Sequence, residues 1–395
     1  MKYGYDRSAF NSHDNSLDEV HSLGAFGLHA GIRSTKADEN NLYYEFNVDY
    51  GSLRSTASNS LESGVPLTEN SVDISGYVGT TFEVHRLYVD IDMKITSYSE
   101  VKQYTAMIVE FTPFYEYGNS RFKGKFGVKF GNRFGMMEKG KVTKMPDGND
   151  ISAVSTVFPN VDARVEIVRR ALWAHLLVGG GYDMNSYSDL VDDCSLLAPD
   201  TGLRMGCRPV DASLILESVV LGRFAVNLSG GFKMTRNKPI FSPVVDGGAL
   251  AEAGMYEVRA WDMDVNTFTA AAEAFWKSES FTLGGEFRYN RYWSDDVAEV
   301  TQLPKFTARA YMRYNWRERI VVSADFNYLS RTSGDRWGAY EVPAITDLDL
   351  KIGYALNRKV SFYVKCGNLL NSGNEYVPLR LAPGRNFGGG VSLSL

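Results

Sequence analysis

The residue types that do chemistry are scattered along this sequence. Its five histidines, His13, His21, His29, His85 and His175, show no HExxH pattern and no His/Cys ligand spacing, so a zinc site has no set of donors. No GxSxG elbow is present to expose a nucleophilic serine. The triplet Gly179-Gly180-Gly181 lies in an alternating stretch and does not precede a helix, so it reads as strand glycines under bulky neighbours. Asp183, Asn185 and Asp189, followed by Asp192 and Asp193, offer oxygen donors in the manner of a calcium loop. The glycine and the terminal glutamate of such a loop are missing, and the segment reads as a solvated, acidic external loop. Cys194 and Cys207 share one link, where they either form a disulfide in an oxidising compartment or remain thiols. No catalytic residue, cofactor-binding residue or metal ligand is expected, and the chain is not read as an enzyme.

The charged residues are more orderly. Asp90, Asp92, Lys94, Glu110, Glu116, Lys123, Lys125 and Lys129 fall on successive segments in which every second residue is polar. Arg309, Arg313, Asp325, Asp347, Asp349, Lys351 and Lys365 do the same near the C-terminus. Cross-strand pairing lets such charges neutralise one another. A wall of this kind is either self-paired structure or a surface for a plug or a passing solute.

The elements that would position these charges are strands. In FTARAYMRYNW, Phe306, Ala308, Ala310, Met312, Tyr314 and Trp316 alternate with Thr307, Arg309, Tyr311, Arg313 and Asn315. VVSADFNYL, TDLDLKIGY, VSFYVKC and FGGGVSLSL repeat the pattern, as do LYYEFNVDY, LYVDIDMKI and FKGKFGVKF upstream. Period-two alternation marks strands with one apolar and one polar face. Short turns are expected near 36–40, 82–85, 117–120, 168–170, 219–223, 277–280, 316–319 and 355–359. Longer links fall near 10–21, 52–70, 133–157, 186–208, 237–258, 292–304, 329–344 and 370–386, with 98–103 a short exception. Tight turns at one rim and long loops at the other are the asymmetry of an antiparallel transmembrane outer-membrane β-barrel, here of about 18 strands. Cys366 then reads as a small lipid-facing residue. A soluble sandwich would bury one face and wet the other, and no blade-length repeat supports a propeller.

Composition agrees. The 395 residues include 37 Gly, 23 Tyr and 22 Phe but only 12 Pro. A mean hydropathy of -0.23 suits a barrel as well as a soluble protein, because only alternate side chains would meet lipid. No stretch of about 18 apolar residues exists to form a spanning helix. The net charge of -5 and the lack of a basic stripe argue against a nucleic-acid partner. The N-terminal MKYGYDRSAFNSHDNS has no apolar run suited to a signal peptide, so Met1 is read as lying downstream of the true start.

The C-terminal segment GNLLNSGNEYVPLRLAPGRNFGGGVSLSL resembles the end of TonB-dependent receptors. The matching positions are Asn368, Leu369, Leu370, Asn371, Tyr376, Pro383, Gly384, Arg385 and Phe387. KYGYDRSAFNS, FTPFYEY and FPNVDARVEIV resemble shorter receptor-like barrels of Bacteroidetes. The resemblance implies uptake of a nutrient across the outer membrane of a Gram-negative cell. It also implies that Val391, Leu393 and Leu395 form the last strand and insertion signal. Its partners would be membrane lipid, the insertion machinery, and the TonB complex or a surface lipoprotein. Receptors of this kind have about 22 strands and a plug. No plug segment precedes the first strand here, so residues 1–395 are expected as one barrel domain, either part of a larger barrel or a plugless one. The competing functions are a passive porin-like pore and a structural or assembly barrel.

Overall fold

The computed structural model describes all residues except 1, 12–17, 35–41, 59–64, 101–103, 135–136, 139–140, 143–153, 195–196, 198–203, 221, 245–256, 298–299, 301–302, 318, 334–340, 358, 375–382 and 394–395. Its main element is a sheet of 18 strands, the number expected from the alternation. They are β1 Lys2–Asn11, β2 Asp18–Arg33, β3 Leu42–Ser58, β4 Val65–Phe82, β5 His85–Glu100 and β6 Tyr104–Gly118. Next come β7 Phe122–Phe134, β8 Val154–Val168, β9 Leu172–Asp183, β10 Gly206–Val220, β11 Phe224–Val244 and β12 Glu257–Lys277. The last six are β13 Phe281–Trp293, β14 Phe306–Trp316, β15 Ile320–Leu329, β16 Ile345–Ala355, β17 Val360–Gly367 and β18 Asn386–Leu393. One short helix, α1 Tyr187–Asp193, lies between β9 and β10. By Cα clustering, one compact unit comprises 1–163, 177–211 and 234–264, and a second comprises 164–176, 212–233 and 265–395.

Among the described residues tight turns fall where the sequence places them, and the one expected near 36–40 lies outside those residues. Phe82 pairs with His85, leaving a two-residue connection in which Glu83 has φ 52°. Asn119 closes the β6–β7 turn by accepting from the backbone N–H groups of Arg121 (2.9 Å) and Phe122 (2.8 Å). Asn357 does the same before β17, accepting from Lys359 (2.8 Å) and Val360 (2.9 Å). Short polar side chains that bond their own backbone suit such turns. At the opposite ends the strands run further than their alternation suggested. β11 and β12 are each 21 residues long; β11 runs on to Val244, into the link expected at 237–258, and β12 starts at Glu257, while 245–256 lie outside the described residues. A strand of 21 residues rises about 70 Å, whereas the apolar band of a barrel is about 25 Å tall. Much of each long strand therefore lies outside lipid.

In the first unit the two faces exchange polarity along the strands. On one face of β3, Leu42, Tyr44, Val48 and Tyr50 are exposed near the tight-turn end. Further along the same face come Ser52, Arg54 and Thr56. The other face carries Glu45, Asn47 and Asp49 near the turn, then half-buried Leu53 and buried Ser55. β5 repeats this. Leu87 is exposed near the turn and Ser97 and Ser99 follow on its face, while Asp90, Asp92 and Lys94 give way to buried Thr96 and Tyr98. An apolar face exposed beside the turns suits lipid, and a polar face over an apolar interior suits water. Ion pairs lace the water-exposed part of β9–β12: Arg208–Asp183 at 2.7 Å, Arg204–Asp262 at 3.2 Å and Arg236–Asp264 at 2.8 Å.

Two apolar clusters fill the inward side of this extension. The first joins Leu67, Tyr98, Tyr187, Leu190, Val191 and Leu197. The second joins Ala106, Ile108, Phe158, Tyr182, Met184 and Met205. Phe158, 0% exposed, meets the Tyr182 ring edge-on at 5.2 Å and lies over Gly131 and Gly180. A Cβ on either glycine would stand 2.8 Å from the Phe158 ring. This is the role expected for strand glycine here, with Gly180 from the triplet supplying part of the dent.

In the second unit, β14 to β18 form consecutive antiparallel pairs. Tyr314 faces Val322, Val322 faces Ile352, and Ile352 faces Val364 across the ladder. Tyr354 faces Phe362, which faces Val391. All of these but the half-buried Val322 are exposed, so the apolar side chains form contiguous rows where a water-soluble surface carries scattered ones.

Candidate functional site

The polar side of the strands between the turns and the filled extension carries the charges that the sequence singled out. Lys125 lies 3.5 Å from Asp90, and its ammonium stands 3.8 Å from the Phe114 ring centroid and 5.0 Å from that of Tyr88. Lys129 binds Glu110 at 2.7 Å. The second Glu110 oxygen accepts the Tyr182 backbone N–H at 2.9 Å, so both oxygens of this buried carboxylate are used. Arg86 lies 3.4 Å from Glu116. Cross-strand pairing therefore neutralises much of this wall. Arg86 and Glu116 face each other directly, but the register also places like charges opposite one another, Asp92 beside Glu110 and Asp325 beside Asp349, and there the pairing that helps is diagonal, as in Lys129–Glu110 and Arg309–Asp325. Near the C-terminus Arg309 pairs with Asp325 at 2.9 Å, and the Lys351 ammonium lies 4.6 Å from the Tyr363 ring centroid. Cations held this way, by rings as well as carboxylates, give a solvated wall fixed geometry.

The acidic segment 183–193 is not a solvated loop in its described part. Asp183 pairs with Arg208. Asn185 donates to the carbonyls of Arg204 (2.8 Å) and Asn237 (3.1 Å). Ser186 caps α1, accepting from the Asp189 N–H, while the Asp189 carboxylate accepts from the Ser186 N–H. That reciprocal arrangement is a capping box, so Asp189 serves the helix and not a cation. Beyond its cap, α1 is seated on β3, β4 and β5. Glu69, 2% exposed, accepts from the Ser188 hydroxyl at 2.5 Å and from the Ser188 N–H at 3.2 Å. The Tyr98 hydroxyl accepts from the Tyr187 N–H at 3.1 Å. The Tyr187 hydroxyl donates to the Leu197 carbonyl at 2.7 Å and lies 3.0 Å from Ser55 Oγ.

The two cysteines of the same region take the second of the alternatives left open by the sequence, as thiols. No disulfide joins Cys194 and Cys207. Cys194 is the buried C-cap of α1, and Cys207 lies on β10 against the Phe158 cluster. Formation of α1 places the two sulfurs in different packing environments, which their spacing alone does not show.

No family model matches the sequence, and no curated relative matches it. Solved structures do. The copper transporter OprC matches 96% of this chain and 66% of its own, at 12% identity and a TM-score of 0.67. The ferric yersiniabactin uptake receptor FyuA from Yersinia pestis matches 98% of this chain and 64% of its own, at 10% identity and a TM-score of 0.67. The alcaligin outer membrane receptor FauA from Bordetella pertussis matches 99% and 63%, at 10% identity and a TM-score of 0.61.

The fold is that of an outer-membrane β-barrel.

This barrel chain thus spans about two thirds of the length of the first of these structures, and slightly less of the others. Its C-terminal motif has a structural role that spacing could not reveal. Asn368 and Asn371 adopt positive φ, 46° and 54°. Asn368 is buried; its amide donates to the carbonyls of Ser372 (2.9 Å) and Pro383 (3.3 Å), and its oxygen accepts from the Ser372 N–H (3.0 Å). Asn371 accepts from the Arg385 N–H at 2.9 Å beside Gly384, and the Arg385 side chain returns to the Leu369 carbonyl at 3.0 Å. The asparagines thus close the link that delivers the last strand, while Leu370 and Phe387 are exposed. Val391 and Leu393 are exposed too, and Leu393 pairs with Val360. Tyr376 and Leu395 lie outside the described residues. Sequence reasoning missed Asn374, which clamps Thr346 with bonds of 3.1 Å and 2.9 Å, and it missed Glu69. A lone acidic residue at the start of a strand gives no sign of its eventual partner.

Proposed function

We propose that residues 1–395 form one barrel domain of a receptor-type protein that takes up a nutrient across the outer membrane. The likeness of almost the whole chain to receptor and transporter barrels, at TM-scores up to 0.67, carries this reading. The charge-lined polar side supports it, since a solute crossing the barrel would travel along that wall. Membrane lipid meets the apolar belt, and the insertion machinery engages the last strand through Val391, Leu393 and Leu395. The TonB complex energises uptake, or a surface lipoprotein delivers the solute. Two of the solved structures are named as a copper transporter and a ferric yersiniabactin uptake receptor, and metal chelates are the first substrates to assay.

The test is uptake of labelled metal chelates by cells that carry or lack the intact gene, with and without an uncoupler. Saturable, gene-dependent uptake that the uncoupler abolishes is expected. Unsaturable, uncoupler-insensitive entry of unrelated sugars would replace this reading with a passive pore.

A further inference from the structure

We propose that the lipid-facing side of β3 to β6 holds one bound phospholipid, with an acyl chain in an apolar dent and the phosphodiester on His85 and Tyr117. The site is independent of which solute the barrel carries. Cross-strand register sets the outward side chains here in rows. Leu42, Thr80, Leu87 and Tyr115 make one row, and Tyr44, Val78, Val89 and Pro113 make the next, further from the tight turns. Thr80, Val78, Val89 and Pro113 are short, while Leu42, Tyr44, Leu87 and Tyr115 stand exposed around them. The result is a dent of about 310 Å³. Leu42, Val78, Thr80, Leu87, Val89 and Pro113 line it, all of outward phase, and its other lining residues sit between these in the chain. The β6–β7 ladder lapses at Thr112 and Pro113, where proline has no N–H to give. An irregularity of the sheet itself thus underlies the floor. A flexible apolar chain restores the contacts that an unfilled dent forfeits.

The turn-side end of the dent is polar. His85 and Tyr117 face each other one row nearer the turn, with ring centroids 5.3 Å apart. The His85 ring also stacks on Tyr115 at 5.9 Å, and its Nδ1 lies 2.8 Å from the Tyr115 hydroxyl. When that hydroxyl donates to Nδ1, the ring proton is on Nε2. The Tyr117 hydroxyl accepts from the Asn119 amide at 3.1 Å, which leaves its own proton to donate. A phosphodiester suits such donors, because a charged acceptor shortens and strengthens the bond. Tyrosine, with an apolar ring and a polar tip, belongs at the level of the headgroups. In the orientation expected of a barrel the tight turns face the periplasm, where the leaflet is phospholipid, so the occupant is a phospholipid.

The full chain, purified in dodecyl maltoside, is titrated with dioleoyl phosphatidylglycerol and, separately, with dioleoylglycerol, which has the same chains and no phosphate. Native mass spectrometry counts lipids per chain. Val89→Phe fills the dent. His85→Phe with Tyr117→Phe keeps two rings and removes both donors. Val364→Phe, elsewhere on the apolar belt, is the control, and heat-modifiable mobility reports that each variant is folded.

Wild type should take up one phosphatidylglycerol several-fold more tightly than further copies, and several-fold more tightly than the diglyceride. The double variant should lose the preference for phosphate, Val89→Phe should weaken both ligands, and Val364→Phe should change neither. The same graded uptake of many lipids in every chain would mean an unspecific lipid annulus and overturn the site. An unchanged preference in the double variant would overturn the headgroup contacts. Displacement of phosphatidylglycerol by lipid A from the wild-type chain would overturn the choice of a phospholipid.

Discussion

Val364 and Tyr363 are neighbours in β17 whose side chains enter opposite media. Val364 is 61% exposed and lies in a row with Ile352 and Val322 across the ladder, a face that only lipid suits. Arginine there must shed its water or thin the bilayer, a cost of about 2–4 kcal/mol near the midplane. Tyr363 points to the polar side, where Lys351 stands over its ring. Arginine in its place gives up that contact and adds a like charge, yet it stays solvated. Urea unfolding in bilayers should show Val364→Arg much more destabilised than Tyr363→Arg, and equal losses would mean that β17 does not border lipid. Asn368 offers a second residue-scale test. Asn368→Ala strands the Ser372 N–H and two carbonyls and leaves alanine at φ 46°, so a loss of about 1–3 kcal/mol is expected in the same assay. No loss would show that water replaces the amide.

At the scale of elements, the strands are held in place by what their glycines leave out. Gly131 of β7 and Gly180 of β9 receive the Phe158 ring of β8, and each approaches it within 2.8 Å of where a Cβ would stand. Gly131→Ala should force the ring and Tyr182 to shift, costing about 1–3 kcal/mol. Phe158→Leu in that background should restore part of the loss, because it removes the ring that the new methyl meets. Thermal unfolding of the single and double variants measures both, and additive losses would mean that the two positions do not share one packing site. The same scale explains the extended strands. β11 and β12 run past the lipid-suited part because ion pairs such as Arg236–Asp264 and inward residues such as Met263 and Val265 give them a water-type interior there.

At the scale of the molecule, the last strand carries the largest consequence. β18 pairs with β17 from Asn386 to Leu393 and presents Val391 and Leu393, the latter 70% exposed. Its removal would leave the β17 edge unpaired, and unpaired backbone groups are not tolerated in lipid. Deleting 386–395 should therefore abolish heat-modifiable barrel in outer-membrane fractions, and normal levels after the deletion would show that β18 is dispensable for assembly. Orientation belongs to this scale as well. Asn357, in a tight turn beside the apolar belt, should resist labelling from outside the cell as a cysteine, whereas Asp192, on exposed helical surface of the long-link side, should react. The reverse pattern would invert the chain in the membrane.

The sequence by itself determined the strand number, the tight turns and the faces. Alternation repeats every two residues, and turn chemistry is local, so Asn119 and Asn357 mark their turns without reference to anything distant. It also separated the charges of β5 to β7 onto one face. It did not determine where along each strand lipid ends, because Ser97 continues the outward phase of Leu87 without a break and only the buried Tyr98 beneath it marks the change. The acidic stretch from Asp183 to Asp193 looked like a wet loop for the same reason. Its capping box was written in Ser186 and Asp189, but the partner that seats the helix is Glu69, 119 residues from Ser188. A contact at that separation leaves no local period to read, and only the tertiary fold, by bringing β4 beneath α1, decided it.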